Sequence, residues 1–317
     1  MAVAMARRVA ADMAAMGPPA AGDMVEVAAI VHARRRLGRL LGEDNSAHSA
    51  PLGTRFARLG SLRIASPACA AVTRLCVKNM KTKSMKLTKI LDWFDGLLKV
   101  GDFDDVSNNG LQIARGGDDV RLVAFAVDGS LKSVKAAAAA GAQLLVVHHG
   151  ISWGGGIRRL VGGEYAVVKL AMDANLALAG YHLPLDANKK VGNNWEIARH
   201  LKLAKVKPAF PYHGNIIGLV GRASRSGKFT IGETEISLHR GEKVGVCSGG
   251  AGEFAVEAKS LGCDVFVAGE ANWGEQVAAE NVGMKMICAG HYATETFGVK
   301  ALARELSRAL GVKTVFV

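Results

Sequence analysis

The polar residues able to do chemistry in this chain gather in three short segments. His148 and His149 close the apolar run Leu144–Val147, His182 and Asp186 follow Leu176–Tyr181, and His291 and Glu295 follow Met284–Ala289. Imidazoles and carboxylates in one place make a nitrogen- and oxygen-rich set suited to Zn, Fe, Co, Ni or Mn. Three histidines and two carboxylates exceed the roughly three protein ligands of one catalytic zinc. Two divalent ions sharing a bridging carboxylate use five better, and a pair about 3.5–4 Å apart can hold a hydroxide between them. Neighbouring histidines point to opposite faces of a regular strand, so His148 and His149 share a site only where the strand unwinds. Gly150 and Gly154-Gly155-Gly156 make that unwinding easy. Each group also has an ordinary structural reading. A strand-end histidine can be satisfied by hydrogen bonds, and His291-x-x-x-Glu295 can be a bond at a helix start. Spacing alone leaves both open. The other histidines (His32, His48, His200, His213 and His239) are read as non-functional.

The elements that must position these residues begin at Met85. Leu87, Ile90, Leu91, Phe94, Leu97 and Leu98 have helical spacing. Arg121–Asp128 reads as a buried strand, Ser130 as the N-cap of a helix running through Ala140, and Gly141 as its terminator. Further helices are expected at Leu160–Ala174, from Asn193 or Asn194 to about Leu203, at Phe254–Leu261, Gly274–Asn281 and Thr296–Leu310. Strands are expected at Gln143–His148, Leu176–Tyr181, Ile216–Val220, Val244–Cys247, Val265–Ala268 and Met284–Ala289. The alternation predicts an α/β fold: a two-lobed, layered subunit with mostly parallel sheets. The polar stretch 203–243, turn-rich after Val220, is the place for a change of lobe or sheet. The expected division is 85–205 and 206–317, with the C-terminal elements free to pack back on the first lobe. All three polar segments sit at carboxyl ends of strands, where ligands collect in open α/β sheets. The metal site is therefore expected between the lobes. Ser248-Gly249-Gly250-Ala251-Gly252 offers backbone N–H groups to an anion, but a tight turn requiring glycine is the preferred reading. P-loop and Rossmann fingerprints are absent from the sequence.

At these residues the chain resembles a known family. VVHHGISW (Val146–Trp153), YHLPLDA (Tyr181–Ala187) with GNN at Gly192–Asn194, and AGHYATE (Ala289–Glu295) resemble the Nif-three-like dinuclear metal proteins. Their bacterial members are the YbgI proteins, which go by the name GTP cyclohydrolase I type 2. NNGLQI (Asn108–Ile113) and VFVAGE (Val265–Glu270) fit the family in the same order. The resemblance runs from about Met85 to Val317 and implies that His148, His149, Asp186, His291 and Glu295 hold the two metals. His182 then stands beside them, as a supporting group or in proton transfer. It also implies a toroidal homohexamer of two-lobed subunits. One departure stands out: after Gly269-Glu270 many members carry a further histidine or polar pair, where this chain has Ala271-Asn272-Trp273-Gly274. The function implied is metal-dependent hydrolysis of a small, nucleotide-like substrate. The alternative is a metal-binding regulatory or metal-delivery protein with no catalysis.

Composition bounds these readings. The 317 residues carry 40 Lys+Arg against 28 Asp+Glu, a net charge of +12. Residues 1–84 hold 13 basic and five acidic residues, so +8 of that excess lies there. This Ala-, Arg- and Ser-rich segment resembles a transit peptide, but its acidic residues count against that. It is expected to be a disordered extension or upstream sequence not kept in the mature protein, with a short helix at Val25–Leu41. It lacks the interleaved aromatics of a nucleic-acid-binding tail. The remainder, at +4, gives no reason to invoke nucleic acid, and no apolar run is long enough to cross a membrane. Five cysteines without a C-x-x-C pair fit a reducing, cytoplasmic setting.

Overall fold

The computed structural model describes residues 84–317; the basic extension, with its expected helix, lies outside the described residues. Strand β1 (Met85–Lys86) leads into α1 (Leu87–Leu98), whose buried Leu87, Ile90, Phe94 and Leu98 form the face that the spacing predicts. Next come β2 (Gly110–Ile113), β3 (Asp119–Val120) and β4 (Leu122–Asp128). Helix α2 (Leu131–Ala139) is capped by Ser130, whose hydroxyl accepts from Ser133 N at 3.2 Å. Gly141 follows it at φ +73°, the left-handed geometry that ends a helix. Strand β5 (Leu144–His149), α3 (Gly162–Asp173), β6 (Ala177–Gly180), α4 (Leu183–Ala187) and α5 (Asn193–His200) complete the first half.

The second half opens with four strands: β7 (Leu203–Tyr212), β8 (Asn215–Ala223), β9 (Gly227–Ile231) and β10 (Thr234–Leu238). Then follow β11 (Lys243–Gly250), α6 (Ala255–Ser260), β12 (Val265–Glu270), α7 (Trp273–Asn281), β13 (Lys285–Cys288), α8 (His291–Leu310) and β14 (Lys313–Phe316).

Two five-stranded sheets organise these elements, in the orders β14-β4-β5-β6-β2 and β13-β12-β11-β8-β7. The first is parallel except for its edge strand β2. In the second, β11, β12 and β13 are parallel, while β8 and β7 run antiparallel to their neighbours. The first sheet is covered on both faces. Phe125, Leu144, Val146 and Ala179 pack against α1 and α8, while Ala124, Ala126, Leu145 and Val147 pack against α2 and α3. That double burial explains why β4 and β5 read as unbroken apolar runs. Helix α8 serves both sheets. Its later residues Val299, Leu302 and Leu306 join the core of the first, and Ala293 and Phe297 pack against that of the second. The last strand, β14, returns to pair with β4.

Two sequence expectations need correction. The stretch 203–243, where only Ile216–Val220 is expected as a strand, holds four strands, β7 to β10. In the β9–β10 hairpin, Phe229, Ile231, Ile236 and Leu238 alternate with polar residues and bury one face. That period-two pattern looks polar on average. Strand β7 is an edge strand, mostly exposed, with a register shift between Ala204 and Lys207, and this hides its periodicity. The last helix begins at His291 rather than Thr296. Polar His291, Thr294 and Glu295 carry no apolar signal because their face of the first turns points at other side chains.

Two outcomes test this packing. Asn194, fully buried at the start of α5, donates to the Ile217 carbonyl (2.9 Å) and accepts from Ser248 N (2.7 Å), tying α5 to β8 and β11. Asn194→Ala leaves two buried backbone groups unpaired and should cost about 2–4 kcal/mol in urea unfolding. Glu305 on α8 pairs with Arg308 at 2.6 Å and Lys190 at 2.5 Å. The Arg308 hydrogen bond outweighs burial and, with Lys190, lowers its carboxyl to about 2. A depressed acid contributes stability above its unfolded value of 4.5 and loses it as pH falls towards 2. Glu305→Gln should therefore be less stable by about 0.5–1 kcal/mol at pH 7, with the difference vanishing by about pH 2 in acid titrations of unfolding.

Candidate metal centre

The polar residues of the three segments meet beyond the carboxyl ends of β5, β6, β11 and β12. In the parallel pairing of β4 with β5, Asp128 lies opposite His149. Their side chains meet there, with His149 Nδ1 at 2.9 Å from Asp128 Oδ1. His148, one residue earlier and fully buried, donates from Nδ1 to the Tyr181 carbonyl at 2.9 Å. His182 sits at the N-cap of α4 with its Nδ1 2.9 Å from Asp105 Oδ1. His291 opens α8 with its Nδ1 2.9 Å from Glu270 Oε1, at the end of β12. Carbonyls and carboxylates only accept, so in every ring the Nδ1 carries the proton. In the neutral imidazole, Nε2 is then a free lone pair.

Three of those Nε2 atoms, on His148, His149 and His291, converge on Glu295. Its Oε1 is 3.5 Å from His148 Nε2 and 3.1 Å from His291 Nε2, and its Oε2 is 3.2 Å from His149 Nε2. The i,i+4 spacing on α8 brings His291 over Glu295. Asp186 closes the other side. Its Oδ1 accepts from Asn193 Nδ2 (2.8 Å) and Ser248 Oγ (3.0 Å), and its Oδ2 faces His148 Nε2 at 3.5 Å. Asn193 also accepts from Gly298 N at 2.6 Å, fixing α5 to α8. The GNN motif is thus the clamp on Asp186.

The arrangement strongly shifts its protonation equilibria. For His148, burial alone lowers the pKa, but Asp186 and Glu295 raise it to about 10. The hydrogen bond with Glu295 outweighs burial and raises His291 to about 9. Burial works against the ionised Glu295, yet His148, His149 and His291 hold it well below the usual range. Asp105 is likewise lowered to about 2, because His182, Ser107 and Asn109 outweigh its desolvation.

Whether a metal fits can be judged from the orphaned atoms. His148 Nε2 and Glu295 Oε2 are buried without a hydrogen-bond partner. The donor atoms stand close enough together to share a cation. Those of His148, His149 and His182 lie within 4.8 Å of each other, as do those of His149, His291 and Glu295. These overlapping groups share His149. His182, expected beside the metals, stands as near as the expected ligands do. A cavity of about 280 Å³ opens at this place, with Trp153 at its edge. The Trp153 ring meets His182 edge to face at 5.1 Å, held by its Nε1–H bond to the Gly150 carbonyl.

The segment from Ser248 to Gly250 is the tail of β11 rather than a free turn, and its amides are used internally. Ser248 N donates to Asn194 and Gly249 N to Thr294 Oγ1. Gly249 adopts φ +71°, and a Cβ there would stand 2.5 Å from Glu295 Oε1. Glycine is required because this backbone lies against the carboxylate. Likewise Asn272, in the segment that departs from the resemblance, caps α7 in a capping box with Glu275.

Asp105, Asp128 and Glu270, which orient three of the rings, are not singled out by the sequence reading. Asp128 and Glu270 end strands and were within reach of a register argument. Asp105 lies in the Asp102–Asp105 loop, where nothing marks it. His200 meets Phe229 of β9 and Phe297 of α8 edge to face, away from these residues.

Comparison with known proteins gives the same answer along most of the chain. Residues 85–317 match the family Duf34/NIF3 (NGG1p interacting factor 3). A relative from Pyrococcus horikoshii, named GTP cyclohydrolase 1 type 2 homolog, is 37% identical over 74% of this chain and 98% of its own length. Another of that name, from Deinococcus radiodurans, is 39% identical over 72% of this chain and 91% of its own length. Among solved structures, the protein ybgI superposes with a TM-score of 0.64 at 25% identity, over 74% of this chain and 98% of that one. No helix among the described residues is long and apolar enough to cross a membrane. Match, identity and superposition agree that this chain belongs to the Duf34/NIF3 family.

Proposed function

We propose that this chain is a dinuclear metal-dependent hydrolase acting on a small, nucleotide-like substrate. One observation carries the reading: imidazoles pinned at Nδ1 turn their Nε2 atoms on a buried glutamate, leaving His148 Nε2 and Glu295 Oε2 without hydrogen bonds. Carboxylate- or carbonyl-bound histidines are the usual supports of a metal site. His148, His149, Asp186, His291 and Glu295 would hold two divalent ions of the Zn, Fe, Mn, Co or Ni kind. Glu295 lies among the imidazoles, with Oε1 towards His148 and His291 and Oε2 towards His149, so it would contribute its carboxylate to holding the ions. Bound there, the ions would supply an activated water and polarise the bond under attack.

The chain's own residues provide the rest. Asp105 keeps His182 in one tautomer, with its free nitrogen available to take a proton from a nucleophile and return it to a leaving group. Trp153 packs edge to face on His182 and limits the directions from which water reaches that ring. The names of the relatives support a nucleotide as substrate. The 280 Å³ cavity favours turnover over a sealed metal-delivery site, because it leaves room beside the ligands for something to be bound. The subunits would assemble as the toroidal homohexamer that the resemblance implies. Exposed Leu160, Val161, Tyr165 and Met172 offer apolar surface for such contacts.

Metal analysis of the purified protein, followed by a hydrolysis screen of nucleotides and phosphoesters, tests this. The native chain should carry close to two ions per subunit and hydrolyse at least one nucleotide. His148→Ala and Glu295→Ala should each weaken metal binding at least about 10–100-fold. Full metal content in both variants would sink the ligand assignment. Metal that exchanges readily with other proteins, and no hydrolysis, would turn the reading to metal delivery. Light scattering should give six subunits.

A further inference from the structure

The mouth of the metal cavity is not uniformly polar. One wall is aromatic: Tyr212, at the end of β7, and Phe254, just before α6, stand edge to face at 6.5 Å. Trp153 borders the same space, and Leu183 and Ile217 add aliphatic surface. Into this wall is set Glu253, an exposed residue with no ion pair or side-chain hydrogen bond among the described residues. It lines the cavity from this side. Together with Asp186 it helps to hold the buried Cys247 thiol well above the ordinary range, an effect led by burial.

A free carboxylate beside aromatic faces has a definite ligand chemistry. It repels phosphate, so it marks a part of the cavity where the phosphates of a nucleotide do not go. It accepts from paired N–H donors, as carboxylates do with guanidinium groups and with amino-substituted base edges. The aromatic side chains offer a surface for a flat ring, a sequence-tolerant contact that needs a polar group to add selectivity. We propose that Glu253 is the specificity-determining residue of this site, selecting a planar heterocycle that presents two adjacent N–H donors while Tyr212 and Phe254 pack against the ring. The inference rests on the nucleotide reading above and adds the end of the substrate remote from the metal ligands. The chain thereby distinguishes bases by their hydrogen-bonding edge. Guanosine presents both donors, inosine one, and adenosine neither in that arrangement.

Calorimetric titration of the metal-loaded full chain with guanosine, inosine and adenosine tests the assignment. Guanosine should bind at least about 10-fold tighter than adenosine, with inosine between them, since bonds to a charged partner account for such ratios. Glu253→Gln should collapse the three affinities to within about 3-fold of each other, with unchanged metal content and melting temperature. Equal affinities in the native chain, no binding of any nucleoside, or a preference that survives Glu253→Gln would each overturn the role of Glu253. Metal content separates this from the function proposed above. A chain without metal fails both, whereas a metal-bearing chain that hydrolyses a nucleotide without selecting the donor edge fails only the present inference.

Discussion

The carboxylate of Glu295, buried among imidazoles whose outer nitrogens are already spent, is the interaction on which the rest of the molecule's architecture turns. For His148 Nε2 to face Glu295, its Nδ1 must find an acceptor behind it, and the Tyr181 carbonyl at the end of β6 supplies one. For His149 the acceptor is Asp128, which is available only because β4 and β5 pair in the register that sets those residues side by side. For His291 it is Glu270, at the end of β12 in the second sheet. Parallel strands deliver their carboxyl ends to one edge, so the fold class and the site are one fact seen at two scales. The shared helix α8 then fixes the distance. Its first turn carries His291 and Glu295, while its later turns are buried against the first sheet.

Close approach has a backbone cost, met by small residues and buried amides. Gly249 lets β11 pass beside Glu295. At Gly269 a Cβ would collide with the Gly249 backbone and Thr294 Oγ1. Asn193 and Asn194 satisfy groups that these approaches leave without partners: the Gly298 and Ser248 amides and the Ile217 carbonyl. Buried polar networks of this kind are tolerated only when nearly every member is paired. Among the described residues three buried side-chain atoms are left unpaired: Ser107 Oγ, His148 Nε2 and Glu295 Oε2. Two of the three belong to the cluster of imidazoles and carboxylates, which argues for a ligand there rather than for poor packing.

Much of this was legible in the sequence, and the parts that were not share a cause. Strand-end histidines stand out because an apolar run stops at them, so His148, His149, His182 and His291 could be placed from pattern alone. The doubly covered first sheet was legible for the same reason. Asp105, Asp128 and Glu270 were not, since their meaning lies in which strand or loop comes to rest beside which ring, and chain spacing does not encode it. The β9–β10 hairpin and β7 were hidden by half-exposed alternation and a bulge. The start of α8 was hidden because the residues that open it face the site and not the core. A fold read from hydrophobic pattern is least visible where polar groups pack against one another.

Charge makes the last step. Asp105, Asp186 and Glu295 are all buried, and four imidazoles stand among them. If every ring were neutral, three interior carboxylates would lack sufficient compensation, a cost of several kcal/mol per ion, and nitrogen lone pairs would face oxygen lone pairs at 3.1–3.5 Å. If every ring were protonated, imidazolium groups would crowd at centroid distances of 4.7 Å for His148–His149, 5.1 Å for His148–His182 and 5.3 Å for His149–His291. Neither state satisfies the site. Raising His148 and His291 is the compromise available to protons, since their charge offsets that of the carboxylates they face. A metal cation on the Nε2 side would remove the conflict more completely: it would balance the carboxylates and engage the lone pairs without disturbing the Nδ1 bonds. The crowding of like lone pairs around Glu295 is therefore what makes this cluster a candidate metal site.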